Sequence, residues 1–334
     1  MDGNPRLALT MGDPGGIGAE VIAKAYPEAR ADADLLVVGD ADVMREAIPD
    51  GAIDLGVRSI PDVGDAAFEP NTIDVLDLDN VANHEWGALR EDFGAASLEY
   101  VERAIELALA GDVDGVVTAP INKQATRMAG SEHAGHTGLL ADRTGVTDYS
   151  MMLVEDDLRV THVSTHVPLR DACDLVTTEN VLETIRVTRD GLLDLGIDDP
   201  SIAVAGLNPH ASDGGLLGDE EAEEIAPAVE AARENGIDVE GPESPDTIYV
   251  RAARGEFDCV VSMYHDEGHV PIKMLGFSTG GEVSGVNMTV GLPIVRTSVD
   301  HGTAFDIAGE DIASSKSMKD AVEVAATAVR NRSS

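Results

Sequence analysis

Short apolar runs alternate with longer amphipathic stretches along this chain, and that rhythm restricts the fold more than any other feature. RLALTM (6–11), DLLVVGD (34–40), DGVVTAP (114–120), LRVTHVSTH (158–166), SIAVAGLNPH (201–210) and FDCVVSMYH (257–265) read as strands. ASLEYVERAIELALAGD (96–112), TENVLETIRVTRDGLLDLGI (178–197) and EEAEEIAPAVEAARENGI (220–237) carry apolar residues at helical spacing. Strands alternating with helices imply βαβ units, an α/β fold and a largely parallel sheet. At 334 residues the chain can form two ordinary domains or one large α/β body with a cleft. No internal repeat, low-complexity segment or flexible linker is present, so any two-domain division is expected to be compact, with the chain crossing between domains more than once.

The surface over those elements is strongly acidic: 23 basic residues against 62 acidic ones give a net charge of −39. Such a surface repels nucleic-acid phosphates and anionic membranes, which excludes both as expected partners. The acid is spread along the chain while the apolar segments stay intact, a pattern of haloadaptation rather than disorder. Lysine occurs only at Lys24, Lys123, Lys273, Lys316 and Lys319. Aromatics make up 3% of the chain, so the core must be built from Ala, Val, Ile and Leu, which suits sheets covered by helices. No apolar run approaches the roughly 20 residues that span a bilayer, and MDGNPRLALTMGD lacks the basic start and apolar stretch of a signal peptide. A cytoplasmic location is expected. Cys173 and Cys259 lack metal-type spacing and are expected to be buried free thiols.

The residues just past each strand carry the chemistry. VVTAP leads to Asn122 and Lys123, RVTHVST to His166, IAVAGLNP to His210, and CVVSMY to His265 and Asp266. In open α/β sheets ligands bind beyond the carboxyl ends of the strands, so these side chains can reach one crevice. A lone histidine at such a place is more often structural than a ligand. Three at equivalent positions point to a shared divalent-metal site, for which neutral imidazoles suit Zn, Co or Ni and leave coordination positions open for substrate. Asp266 is either an acid–base group, an orienter of a ligand, or a turn cap; His269 reads as a supporting or structural residue. The stretch MGDPGGIGAE (11–20) comes after a strand and precedes a helical run, as a phosphate-cradling loop does. Its dinucleotide fingerprint is incomplete, because Gly16 and Gly18 are followed by Val21 at the third glycine position, and a plain tight turn stays open beside cofactor binding at Gly12, Gly16 and Gly18. RTSVDHGTAFDIAG (296–309) sets Arg296, Asp300, His301, Gly302 and Asp306 among small residues where a ligand can approach.

Taken together, MGDPGGIGAE, TAPINK, GHTGLLAD, THVPL, GLNPHAS, YHDEGHVPIK and GLPIVRTSVDHGTAFDIAG resemble, in order and across nearly the whole chain, the 4-hydroxythreonine-4-phosphate dehydrogenase family of vitamin B6 biosynthesis. The resemblance implies an isocitrate/isopropylmalate dehydrogenase-like fold of two α/β/α domains with a cleft between them. It divides the chain into 1–133 plus 300–334 and 134–299. It implies a homodimer with a shared active site, a divalent metal (Zn, Co, Ni or Mg) on His166, His210 and His265, one ligand of which can cross from the partner, and NAD or NADP as hydride acceptor. His136, Thr137, Lys273, Asn287 and Arg296 are implied to bind a phosphorylated small-molecule substrate. His301, Gly302 and Asp306 fall in the segment that binds the adenosine part of the cofactor in related dehydrogenases. Asp266, Lys123 and Asp246 are the catalytic candidates. Two departures, the long spacer MLGFSTGGEVSGV between Lys273 and Asn287 and the Glu-Gly-His of 267–269, look more like the branch acting on 4-phosphothreonate or 4-phosphoerythronate.

The implied reaction agrees with the residues. Oxidation of the substrate alcohol gives a β-keto acid, and loss of CO₂ leaves an enolate whose charge a metal stabilises. No side chain accepts hydride, so a bound nicotinamide must. In so acidic a protein, positive groups near an anionic substrate are essential; Lys273 and Arg296 are candidates, and Lys123 is a second cation, a proton carrier or a plain surface lysine. A non-redox metal-dependent lyase or aldolase also fits the three histidines, and an acyl-phosphate transferase of related fold also fits a cleft.

Overall fold

The computed structural model describes residues 4–48, 54–131, 135–278 and 285–332. The chain forms two compact units, Met1–Gly145 with Pro293–Ser334, and Val146–Leu292.

The first unit contains β1 (Arg6–Thr10), α1 (Gly18–Ala29), β2 (Asp34–Gly39), α2 (Ala41–Glu46), β3 (Gly56–Ile60), β4 (Thr72–Asp77), α3 (Glu91–Ala110), β5 (Gly115–Thr118), α4 (Lys123–Met128) and α5 (His136–Thr144). The second contains β6 (Ser150–Glu155), β7 (Leu158–His162), α6 (Leu169–Asp174), α7 (Thr178–Asp194), β8 (Ile202–Ala205), α8 (Ala226–Glu234), β9 (Val239–Glu243), α9 (Pro245–Ala252), β10 (Cys259–Ser262), α10 (His265–Ser278) and β11 (Val286–Val290). The chain then returns to the first unit with β12 (Val295–Val299) and α11 (Lys316–Arg332).

Strands of the first unit lie in the order β3-β4-β2-β1-β5-β12, every neighbouring pair parallel. The order reverses between β1 and β5, so the chain leaving β1 winds to one side and the chain leaving β5 belongs to the other. That switch point is where an open parallel sheet leaves a crevice at its carboxyl edge. Two loops meet there, Met11–Ile17 after β1 and Ala119–Asn122 after β5. Leu7, Leu9, Leu35, Val37, Val75 and Val116 fill the sheet's buried faces, as expected of strands covered on both sides. Because β12 pairs with β5, with Arg296 opposite Val116, the unit boundaries fall at 145/146 and 292/293, against 133/134 and 299/300 from the sequence.

The second unit has the order β11-β6-β7-β10-β8-β9. Here the sheet is mixed: β6 runs antiparallel to both β7 and β11, while β7, β10, β8 and β9 are parallel. Its core joins Leu153, Leu158, Val160, Ala203, Ile248, Phe257, Val260 and Ile272.

Strands β7, β8 and β10 end at His162, Ala205 and Ser262, short of the expected ends at 166, 210 and 265. The extra residues are polar turn formers: Pro209 has no N–H to give a ladder, and β7 continues only through Val163 N–H and Ser164 N–H, bonded to Ser262 O at 2.8 Å and Met263 O at 3.2 Å. Among the described residues, no helix is long and apolar enough to cross a membrane. Residues 279–284 of the long spacer lie outside the described residues.

Candidate active site

Strand β10 lies between β7 and β8, so the segments leaving these three strands start side by side. His166 comes after β7 and His265 opens α10 after β10; their ring centroids are 5.5 Å apart. His265 Nδ1 is 2.7 Å from Asp266 Oδ1. With the proton on that nitrogen, Nε2 is left as the lone-pair atom, the tautomer a carboxylate-backed metal ligand needs. His265 also stacks on His269 at 3.7 Å and 9°, and His269 Nδ1 lies 2.9 Å from the His265 carbonyl oxygen. Helix periodicity dictates this pairing, since residues four apart share a face.

His162, the last residue of β7, lies beneath them, 4.8 Å from His269 and 6.3 Å from His265 between ring centroids. Burial, reinforced by His269, pulls its imidazole down to about 3 and keeps it neutral. Its Nδ1 lies 3.3 Å from the Met151 carbonyl oxygen. His162 is absent from the residues expected at the site, because in sequence it reads as a strand residue; the repeated Thr-His of THVSTH is the signal that could have found it. Gly268 explains the Glu-Gly-His of 267–269, because a Cβ there would lie 2.5 Å from His162 Nε2 and 2.5 Å from Val160 Cγ1. Glycine lets α10 sit directly on β7. The intervening Glu267 turns inward, its Oε2 accepting from Met263 N–H at 2.5 Å, and burial raises its carboxyl to about 8.

His210 comes after β8 in an unusual turn. His210, Ala211, Ser212 and Asp213 have φ of 57°, 51°, 64° and 46°, four successive non-glycine residues in the left-handed region. Ser212 closes the turn, its carbonyl accepting from Leu216 N–H at 2.9 Å and from Gly215 N–H and Leu217 N–H at 3.1 Å each. Among the described residues, no three His, Cys, Asp or Glu side chains are gathered closely enough to hold a metal ion. His166 and the oriented His265 nevertheless supply two adjacent imidazole donors, a set that fits a divalent transition metal. Asp246 stands in the first turn of α9, bonded by Ser244 Oγ–H at 2.6 Å. Lys273 lies on α10 and Asn287 on β11.

In the first unit the residues of charge and polarity gather around β5. Asn122 caps α4, its side chain accepting from Gln124 N–H at 2.9 Å and Ala125 N–H at 3.1 Å, which sets Lys123 as the first helical residue. Arg296, on β12, is 2% exposed and donates from Nη2 to Thr118 Oγ1 at 2.6 Å. Burial pulls its guanidinium down to about 9, which still leaves it charged at neutral pH. His136 opens α5, where burial first, then the Arg296 and Lys123 charges, hold its imidazole well below the ordinary value; its Nε2 is buried without a hydrogen-bond partner. Thr137 comes next in the same helix, its side chain outside the described residues. A neutral imidazole beside two cations suits hydrogen bonding to an anion.

The glycines of the β1 loop answer to close packing. A Cβ on Gly12 would lie 2.3 Å from Pro120 O, on Gly18 2.1 Å from Met11 O, and on Gly16 3.0 Å from Thr303 O. Gly16 N–H bonds Asp13 O at 2.9 Å and Ile17 N–H bonds Thr303 O at 3.0 Å, so these donors serve the protein's own backbone. The loop is thereby fixed against His301–Thr303, bringing the two expected cofactor stretches together. His301 has a buried Nε2 without a hydrogen-bond partner, a polar atom that fits a bound ligand, while Gly302 and Asp306 are exposed. Asp13, within the glycine motif but not among the expected site residues, is 1% exposed; its Oδ1 accepts from Gly15 N–H at 2.9 Å and its Oδ2 is buried without a hydrogen-bond partner.

Residues 31–325 match the family described as pyridoxal phosphate biosynthetic protein PdxA. The chain is 45% identical over 323 residues to the D-threonate 4-phosphate dehydrogenase of Salmonella typhimurium, covering 96% of this chain and 97% of that one. It is 44% identical to the 4-hydroxythreonine-4-phosphate dehydrogenase of Beijerinckia indica, covering 96% and 94%. Among solved structures, the 4-hydroxythreonine-4-phosphate dehydrogenase of Klebsiella pneumoniae superposes with a TM-score of 0.87 at 42% identity, covering 98% of each chain.

Proposed function

Because the chain belongs to the PdxA family of pyridoxal phosphate biosynthetic proteins, we propose that it is a nicotinamide-dependent dehydrogenase acting on a 4-phosphorylated hydroxy acid. D-threonate 4-phosphate is the preferred substrate in this reading, supported by the Salmonella relative's name and by the Glu-Gly-His of 267–269. Oxidation of the alcohol β to the carboxylate gives a β-keto acid, and that acid loses CO₂.

The observation that carries the reading is His166 beside His265, with His265 oriented by Asp266 at 2.7 Å. These two histidines, with His210, would hold a divalent cation that polarises the substrate hydroxyl and stabilises negative charge after CO₂ is lost. Asp266 keeps the His265 proton on Nδ1 and the ring in one orientation. Lys123, Arg296 and Lys273 bind the phosphate and carboxylate through charge-assisted hydrogen bonds. Neutral His136, with Thr137 and Asn287, completes the substrate-binding set. His301 and the glycine loop hold the nucleotide of NAD or NADP, which accepts the hydride. Lys123 and Asp246 are the candidate carriers of the hydroxyl proton. A homodimer is supported by exposed apolar side chains on the second unit: Leu169, Leu216, Val270 and Met274 are 62%, 79%, 55% and 68% exposed, an arrangement that suits burial against a second copy.

The test is incubation of the purified protein with D-threonate 4-phosphate, NAD⁺ and Zn²⁺, Co²⁺, Ni²⁺ or Mg²⁺ in molar KCl. Reduced-nicotinamide absorbance and CO₂ should appear together, and His166→Ala and His265→Ala should lose bound metal and turnover while staying folded. Equal turnover of unphosphorylated D-threonate would refute the substrate assignment.

A further inference from the structure

We propose that Glu221 is a positioning residue for His210, acting through Asn208 to fix the left-handed turn on which His210 is carried. The inference rests on the reading of His210 as a metal ligand.

Four successive non-glycine residues with positive φ form a conformation that L-amino acids disfavour, because each Cβ crowds the following carbonyl oxygen. Such a stretch persists only where its surroundings over-determine it, and strain of this kind clusters at functional sites. The bonds to the Ser212 carbonyl lie within the turn and set its shape, but they leave its place on the sheet undetermined. Among the described residues, the hydrogen bonds that tie residues 208–217 to Glu220 and Glu221, at the start of the helix that follows, run through Asn208. Its backbone N–H donates to Glu221 Oε1 at 2.6 Å, its Nδ2 to Glu221 Oε2 at 2.9 Å, and the same Nδ2 to Glu220 Oε2 at 2.8 Å. Glu221 therefore takes the backbone N–H and a side-chain N–H of one asparagine with one carboxylate, two residues before the left-handed turn begins at His210.

The anchor is rigid. Glu221 is 3% exposed and opens a single π turn, Glu221–Ile225, that runs into α8. Turns of this type recur at functional sites because the extra residue redirects side chains from the helix's regular stripe. Gly206 completes the arrangement from below: a Cβ there would lie 2.9 Å from Ala211 Cα and 3.0 Å from Glu221 Oε1, so glycine alone lets the turn and the carboxylate close over the end of β8. A buried carboxylate accepting two bonds from one asparagine, beside a glycine with no room for a side chain, defines where His210 stands. A plain surface turn needs none of this.

The test is the Zn²⁺ affinity of the full-length protein, by calorimetry after chelation and exchange into molar KCl, for wild type and the variants Glu221→Gln, Glu220→Gln and His210→Ala. Gln keeps the volume and one acceptor but sets an NH₂ group against a donor of Asn208. Glu221→Gln is expected to weaken zinc binding roughly ten- to a hundred-fold, the range for lost support of a metal ligand. Its melting temperature should stay near wild type, and saturating zinc should restore turnover. Glu220→Gln, which keeps an acceptor for its single contact with Nδ2, should bind zinc like wild type. A Glu221→Gln protein that melts early yet binds zinc with wild-type affinity would mark Glu221 as purely structural and overturn the proposal. If Glu221→Gln does not fold, Asn208→Ala takes its place, and unchanged zinc affinity in that variant has the same meaning. Wild-type zinc affinity in His210→Ala would instead remove His210 from the metal site, a result separate from the failure of the Glu221 proposal.

Discussion

Replacing Asp13 with asparagine should stabilise the protein at neutral pH, and by more at neutral than at acid pH. Asp13 is buried with one oxygen unpartnered, and burial raises its carboxyl from 3.8 to about 6, against the opposing pull of backbone hydrogen bonds at Gly15 and Asn122. Between those two values the folded protein holds a proton that the unfolded chain has released. Stability therefore falls as pH rises through this window, and the full cost is present above about pH 6. A shift of about two units at 1.36 kcal/mol each gives about 3 kcal/mol near pH 7.5, and about 1 kcal/mol near pH 4.5, which is only about 0.7 units above the unfolded value and where the folded carboxyl still holds its proton. Asparagine keeps the acceptor for Gly15 N–H, 2.9 Å away, and has no charge to bury. Its stabilisation relative to wild type should grow by about 2 kcal/mol from about pH 4.5 to about pH 7.5. Urea unfolding of both proteins in molar KCl measures this, and the many other acidic groups cancel because both proteins share them. An Asp-to-Asn difference that is the same at both pH values would refute the reasoning.

The net charge of −39 should make melting temperature and activity rise with KCl into the molar range, by screening of like charges; a melting temperature flat between dilute and molar salt would count against haloadaptation. Gly18→Ala should cost roughly 3 kcal/mol in urea unfolding, because its Cβ would lie 2.1 Å from Met11 O, a backbone atom that cannot rotate away; wild-type stability would show that α1 moves freely against β1. Lys273→Met and Arg296→Met should each raise KM for the phosphorylated substrate roughly ten- to a hundred-fold while leaving the KM for NAD⁺ unchanged, since each removes a charge-assisted contact worth about 1.5–3 kcal/mol; an unchanged KM for the phosphorylated substrate in either variant would remove that residue from substrate binding.

The periodicity of the chain determined the α/β class, because apolar runs of strand length between amphipathic helices admit few other architectures. His166 and His265 were visible as candidates for one site, since the residue after a parallel strand stands at the sheet's carboxyl edge wherever that strand lies. Strand order was not visible: local sequence carries no record of which strand inserts between which, and only the pairing of β10 with β7 makes those two histidines neighbours. The edge strand β9 was hidden by its Gly-Pro, and β6 and β11 by an antiparallel pairing that no βαβ rhythm announces. The motif glycines were legible as glycines, but their reason is tertiary, a carbonyl or an imidazole lying where a Cβ would stand. His162 and Asp13 escaped for the same cause. Burial decides whether a histidine in a strand or an aspartate in a turn is an ordinary residue or a strained one, and burial is made by parts of the chain that sequence places far away.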